Sequence, residues 1–192
     1  MNRKKTIIAA VVLMLVLLVG GLIAYFTDTD QKKNTFTIGN VDITLNEVWN
    51  ATDGQGVVPG QKIDKKPTVE NTGDSKAYVF LKVTIPCHNS KALFTLEEVN
   101  AAWNQVETTS CDAAEGNATV IYSYGSLTEL AKDAETPELF KQVKLDSSLT
   151  KTDAEALKDK NLDVVVDAYG IQVDGLEVST PAEVYALFSS GN

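Results

Sequence analysis

The sequence predicts an all-β fold, a sandwich of two antiparallel sheets with a few short peripheral helices. Three observations carry this. Apolar residues alternate with polar ones at Val41, Ile43 and Leu45 and again at Val79, Leu81, Val83 and Ile85, the period of a half-buried strand. Turn-forming clusters, such as TDGQGVVPG at residues 52–60 and NTGD at residues 71–74, separate short segments. Helix signals are few and short, which fits a sandwich better than a parallel α/β sheet.

In chain order, residues 1–5 (MNRKK) are basic and residues 7–19 (IIAAVVLMLVLLV) are thirteen apolar residues without a charge. Gly20 and Gly21 break the run, and Ala24 supplies a small residue where a signal peptidase cuts. These are the parts of a secretory signal. They predict residues 1–24 as a signal peptide cleaved between Ala24 and Tyr25, with residues 25–192 as one domain outside the membrane. The alternative is an uncleaved anchor, because residues 7–26 approach the length that spans a bilayer. Basic residues before the run favour a cytoplasmic N-terminus under either reading.

Residues 25–34 (YFTDTDQKKN) are polar after two aromatics and alone would form a mobile tail. Phe36 and Ile38 alternate with threonines, and a strand follows at residues 41–45. Residues 62–70 contain Pro67, which suggests an edge strand. Residues 77–85 (AYVFLKVTI) form the strongest strand pattern, expected to stop at Pro86. Thr95-Leu96-Glu97-Glu98 reads as a capping box, with Leu96, Val99 and Trp103 on one helical face. Residues 118–124 and 139–145 are further strands, with Tyr122 and Tyr124 on one face. Residues 152–160 read as a short charged helix and residues 161–173 (NLDVVVDAYGIQV) as a long strand. Thr180-Pro181-Ala182-Glu183 is a second capping box with proline at the first helical position, opening a helix to about Phe188.

Composition narrows the function classes. Arg3, Lys4 and Lys5 leave with the signal, so the mature chain keeps 14 basic and 26 acidic side chains, a formal charge of −12. Such a surface repels phosphate backbones, which argues against nucleic acid as a partner. Cys87 and Cys111 are an even pair in an exported chain, which favours one disulfide over two free thiols.

Catalytic motifs are sparse. His88 is the one histidine, and no His-Glu-x-x-His helix accompanies it. Cys87, His88 and Cys111 are zinc-ligand residue types, but adjacent loop ligands are poor geometry and a disulfide competes for both sulfurs. Gly-x-Ser-x-Gly, Walker and dinucleotide glycine patterns are absent from the sequence. Glu97 and Glu98 fit helix capping before they fit a glycosidase pair. The sequence therefore predicts a protein with no catalytic, metal or cofactor residues.

Several segments in a fixed order carry a family resemblance. They are GGLIAYFTDTD at residues 20–30, NTFTIGNVDITL at 34–45 and VPGQKIDKKPTVENTGDSKAYVFLKVTIP at 58–86. TPELFKQVKL at 136–145 and VVVDAYGIQVDGL at 164–176 complete the series. In their order and spacing the chain resembles the TasA/camelysin group of exported bacterial proteins processed by a SipW-type signal peptidase. The resemblance implies a jelly-roll β-sandwich that builds extracellular biofilm-matrix fibres, each mature N-terminus completing the sheet of the next subunit. Tyr25, Phe26, Phe36 and Ile38 would anchor that donor segment, within residues 25–38. Asp28, Asp30, Lys32 and Lys33 depart from an ideal donor strand. The implied partners are further copies of the chain, the signal peptidase and matrix anchoring proteins. The same group includes proteins named as metallo-endopeptidases, which gives the alternative of a surface protease. A monomeric surface-binding module of the same fold is a third reading.

Overall fold

The computed structural model describes residues 41–189, except residues 51, 114, 159 and 161. The expected signal peptide, its expected Ala24–Tyr25 junction and the expected donor anchors Tyr25, Phe26, Phe36 and Ile38 lie outside the described residues.

The described residues form two antiparallel sheets that face each other as a sandwich, with two short helices beside them. The first sheet has the order β1 (Ile43–Trp49), β2 (Lys62–Asn71), β8 (Gln142–Leu145), β5 (Phe94–Glu97). The second centres on β3 (Ala77–His88), flanked by β9 (Val165–Gln172) and by β7 (Glu115–Tyr124), with β6 (Trp103–Thr109) beyond β7. The two-residue β4 (Lys91–Ala92) pairs back onto the end of β3. Helix α1 (Lys151–Leu157) follows β8, and α2 (Pro181–Ser189) follows β9.

The period-two pattern explains the centre. Val79, Leu81, Val83 and Ile85 point from β3 into the core between the sheets, where they meet residues such as Ile63, Val143 and Phe140. The opposite face of β3 carries Phe80, fully buried because α2 covers it with Val184 and Phe188. Phe80, Tyr169, Tyr185 and Phe188 form a cluster of rings with centroids 5.3–5.9 Å apart. Such tilted and edge contacts suit the ring quadrupole. Tyr122 is buried in the main core, and Tyr124 packs on Trp103 at 5.6 Å.

Both expected terminal helices form. Thr150 and Asp153 close a capping box at the start of α1. The Thr180 hydroxyl accepts from the Glu183 amide at 3.3 Å, and the Glu183 carboxylate accepts from the Thr180 amide at 3.1 Å.

Three local readings are corrected. Thr95–Glu98 does not cap a helix. Thr95 pairs with Lys144 and Leu96 with Val143 in the β5–β8 ladder, and Glu98 turns the chain with φ 56°, outside helical space. Trp103 then starts β6. Pro67 does not mark an edge, because β2 lies between β1 and β8. Its carbonyl accepts from the Leu139 amide at 2.9 Å, so its missing N–H faces the irregular segment before β8 rather than the β1 ladder. Pro86 does not stop β3. Its carbonyl accepts from the Leu93 amide at 2.8 Å, on the flank that β9 has already left, while the β7 ladder continues to His88 and Glu115.

Candidate functional site

A sandwich exposes the backbone of its edge strands, and unpaired edges invite further strands. Two of the four edges are blunted. β6 carries a register break between Gln105 and Glu107, and β5 is four residues long and ends at the left-handed Glu98. The other two are regular. Among the described residues β1 pairs with β2 alone and β9 with β3 alone.

These two edges border one seam. At one end it is closed: a Cβ on Gly170 would lie 2.9 Å from Ile43 Cγ2 and 3.3 Å from Val41 Cγ1, so β1 and β9 touch there. Toward Trp49 and Val165 the strands diverge. The inward positions of β1 record this, since Ile43 is buried, Leu45 is half-buried, and Glu47 and Trp49 are exposed. The gap is a groove of about 730 Å³. Ile63, Phe94, Val143 and Leu145 form its apolar floor, Glu47 and Trp49 one wall, and Ala154, Leu157 and Val164–Val166 the other. Trp49 and Val165 are each 45% exposed at its rim.

One charged pair sits in this wall. Lys65 is 7% exposed, and its ammonium donates to Glu47 Oε2 at 2.7 Å and lies 5.5 Å from the centre of the Trp49 ring. A buried ammonium is tolerated only with such partners. Sequence reasoning missed the groove and this pair. The available signal was Glu47 and Trp49 continuing the core parity of Ile43 and Leu45: a carboxylate and a large aromatic in core register mark a face that loses its cover.

The structure joins Cys87 to Cys111, with Cα atoms 5.8 Å apart. The bond ties the end of β3 to the turn before β7. His88, next to it, has its Nδ1 2.9 Å from Glu115 Oε1 and its Nε2 3.3 Å from Asp153 Oδ1. Glu97 and Glu98 are spent in surface ion pairs with Lys62 and Lys141. Among the described residues no helix is long and apolar enough to cross a membrane.

No curated protein and no solved structure matches the chain. The sequence pattern of a family described as camelysin metallo-endopeptidase matches residues 2–180. That description overturns the expectation of a protein without catalysis, since the family is named for peptide-bond cleavage by a metal enzyme. A hydrolytic metal centre needs several ligands converging on one point. The described residues do not fit one: His88 meets its two carboxylates at opposite ring nitrogens, both sulfurs are bonded together, and no three His, Cys, Asp or Glu side chains converge. No chemical step is therefore routed through a metal here. With the match running over nearly the whole length, the chain belongs to the camelysin metallo-endopeptidase family.

Proposed function

We propose that this chain is a secreted structural subunit of extracellular matrix fibres at the cell surface, and that its groove between β1 and β9 receives the N-terminal segment of the next copy. The observation that carries the reading is the groove itself, an apolar trough bordered by two regular strand edges. An extended segment laid there would form ladder hydrogen bonds with an edge and place alternate side chains on Ile63, Phe94 and Val143, the physics of strand addition. A segment beginning at Tyr25 after removal of residues 1–24 by a SipW-type signal peptidase supplies two aromatics for that floor. Burying one aromatic side chain contributes about 1.5–3 kcal/mol, and each ladder hydrogen bond adds a net ~1 kcal/mol. Head-to-tail contacts of this kind do not close, so they propagate as a filament. Matrix anchoring proteins would hold its end.

Repulsion between mature chains of charge −12 opposes association, so assembly improves at moderate salt, where the Debye length is about 8–10 Å. The test is electron microscopy of protein beginning at Tyr25, beside a variant lacking residues 25–34. The intact mature chain is expected to form filaments. The truncated chain is expected to stay folded, with unchanged circular dichroism, and to form none. Normal filaments from the truncated chain would sink the reading.

The family description favours a second reading, a surface metallo-endopeptidase, in which the same seam binds an extended peptide substrate. Hydrolysis of unfolded protein substrates by the purified chain, abolished by a chelator, would select it.

A further inference from the structure

The backbone of β1 alternates in the direction it points. One step before the Ile43–Asn71 pair, the Asp42 carbonyl accepts from the Thr72 amide at 2.9 Å. In an antiparallel ladder such bonded pairs alternate with non-bonded ones. Thr44, Asn46 and Val48 therefore turn their backbone groups to β2, and Ile43, Leu45, Glu47 and Trp49 turn theirs away. Pro67 agrees with this parity. It stands opposite Glu47, has no N–H to give, and its carbonyl accepts from Leu139 on the far flank. Among the described residues β1 pairs with β2 alone, so the N–H and C=O groups of Leu45, Glu47 and Trp49 face the seam.

The residues just before β1 match that edge. Ile38-Gly39-Asn40-Val41 places Gly-Asn at the centre of a two-residue hairpin, with glycine first as a type II′ turn requires. Such a turn bonds the Ile38 carbonyl to the Val41 amide. Alternation then puts the further bonded positions at Ile43, Leu45, Glu47 and Trp49, the same set that faces the seam. The two parities have independent sources, the β2 ladder for one and the turn length for the other.

The side chains match as well. Counting back from the turn sets Ile38 opposite Val41, Phe36 opposite Ile43, Asn34 opposite Leu45, Lys32 opposite Glu47 and Asp30 opposite Trp49. Cross-strand partners share a face. Val41 and Ile43 are buried, Leu45 is half-buried, and Glu47 and Trp49 are exposed, so both runs turn polar at the same step. Lys32 would meet the Glu47 carboxylate, and Asp30 would join the row of Trp49, whose neighbour on the β2 side is Lys65. The other face would carry the polar pairs Thr37 with Asp42, Thr35 with Thr44 and Lys33 with Asn46. We infer that residues 30–38 add to the free edge of β1 within their own subunit, as a hairpin that turns at Gly39 and Asn40.

Tethering favours this over capture by another copy. A short linker holds a segment at a millimolar effective concentration, above that of a second chain at micromolar concentration. Phe36 and Ile38 then belong to their own subunit, and residues 25–29, headed by Tyr25 and Phe26, are left for the next copy. The hairpin stands without the fibre reading; this division of the segment rests on it.

The test combines amide exchange with disulfide trapping. It uses the full chain in dilute detergent and the chain beginning at Tyr25, both at concentrations where sedimentation shows single subunits. The Leu45 and Glu47 amides are expected to exchange at least about tenfold more slowly than in a variant lacking residues 25–38. Lys33→Cys with Asn46→Cys makes a non-bonded pair with Cα atoms about 4.5 Å apart, close enough to bridge. This pair should close within one chain. Lys32→Cys with Asn46→Cys sets the sulfurs on opposite faces and should stay open. The Cys87–Cys111 bond is the internal reference in the peptide map. Fast exchange in single subunits, or equal bridging in both variants, overturns the hairpin. Bridges between chains, or protection in filaments only, also overturn it and leave strand addition between copies standing. A closed hairpin in a native chain that forms no filaments sustains the hairpin and overturns the fibre reading.

Discussion

Gly170 decides how closely the two sheets meet at the closed end of the seam. Its backbone angle is ordinary, so its value is not conformational freedom but the missing Cβ, which would sit 2.9 Å from Ile43 Cγ2 and 3.2 Å from Ile43 Cδ1. Ile43 is β-branched and 4% exposed, so it has no free rotamer to retreat into. Gly170→Ala is therefore expected to destabilise by about 1–3 kcal/mol, the usual cost of overpacking, although alanine is otherwise the better strand residue. Urea unfolding checks this. The paired change Gly170→Ala with Ile43→Ala, which removes both Cγ2 and Cδ1, should cost less than the sum of the two single changes, and strict additivity would show that the strain lies elsewhere. Lys65 illustrates the opposite limit of legibility. Its parity in β2 was readable, but its burial follows from Glu47 and Trp49, which reach it only through the β1–β2 register.

Among the elements, those whose signal is local were legible. β3 and β9 announce themselves by alternation, α1 by a short charged segment at residues 152–160, and α2 by a capping box whose bonds lie within four residues. The segment 94–109 was misread because its capping signal is equally local but loses to a long-range partner: β8 presents Val143 and Leu145 for Leu96 and Phe94 to pair with, 47 to 51 residues away in the chain. Nothing near Thr95 encodes that. The second helix offers a test of how independent these elements are. Thr180→Ala removes a cap worth about 1 kcal/mol, and α2 packs on the small cluster around Phe80 rather than on the main core. Exchange of α2 amides should quicken about fivefold while the centre of β3 is unaffected. Equal acceleration in both would mean that α2 opens only when the whole sandwich does.

For the molecule as a whole, the fold class was legible and the candidate site was not, and the same cause explains both. A sandwich is written in the period of its strands. A groove is written in which strands fail to pair, and that depends on an order in which β1 and β9, the first and last strands among the described residues, end as neighbours across the seam. The disulfide belongs to this scale too. Between Cys87 and Cys111 the chain runs through β4, crosses to the first sheet as β5, and returns to the second as β6. The bond thus closes a loop that visits both sheets, at a residue separation of 24. The chain-entropy account assigns about 3.5 kcal/mol to a loop of this length, nearly all of it through the unfolded state. Reduction should therefore lower the unfolding free energy by about that amount and leave the native far-ultraviolet spectrum unchanged. The more extended reduced chain should also raise the urea m-value, because it exposes more surface. Urea titrations with and without reductant, monitored by the fluorescence of Trp49 and Trp103, measure both quantities. An unfolding free energy that reduction does not change would show that this excursion is fixed by the β5–β8 and β6–β7 ladders alone.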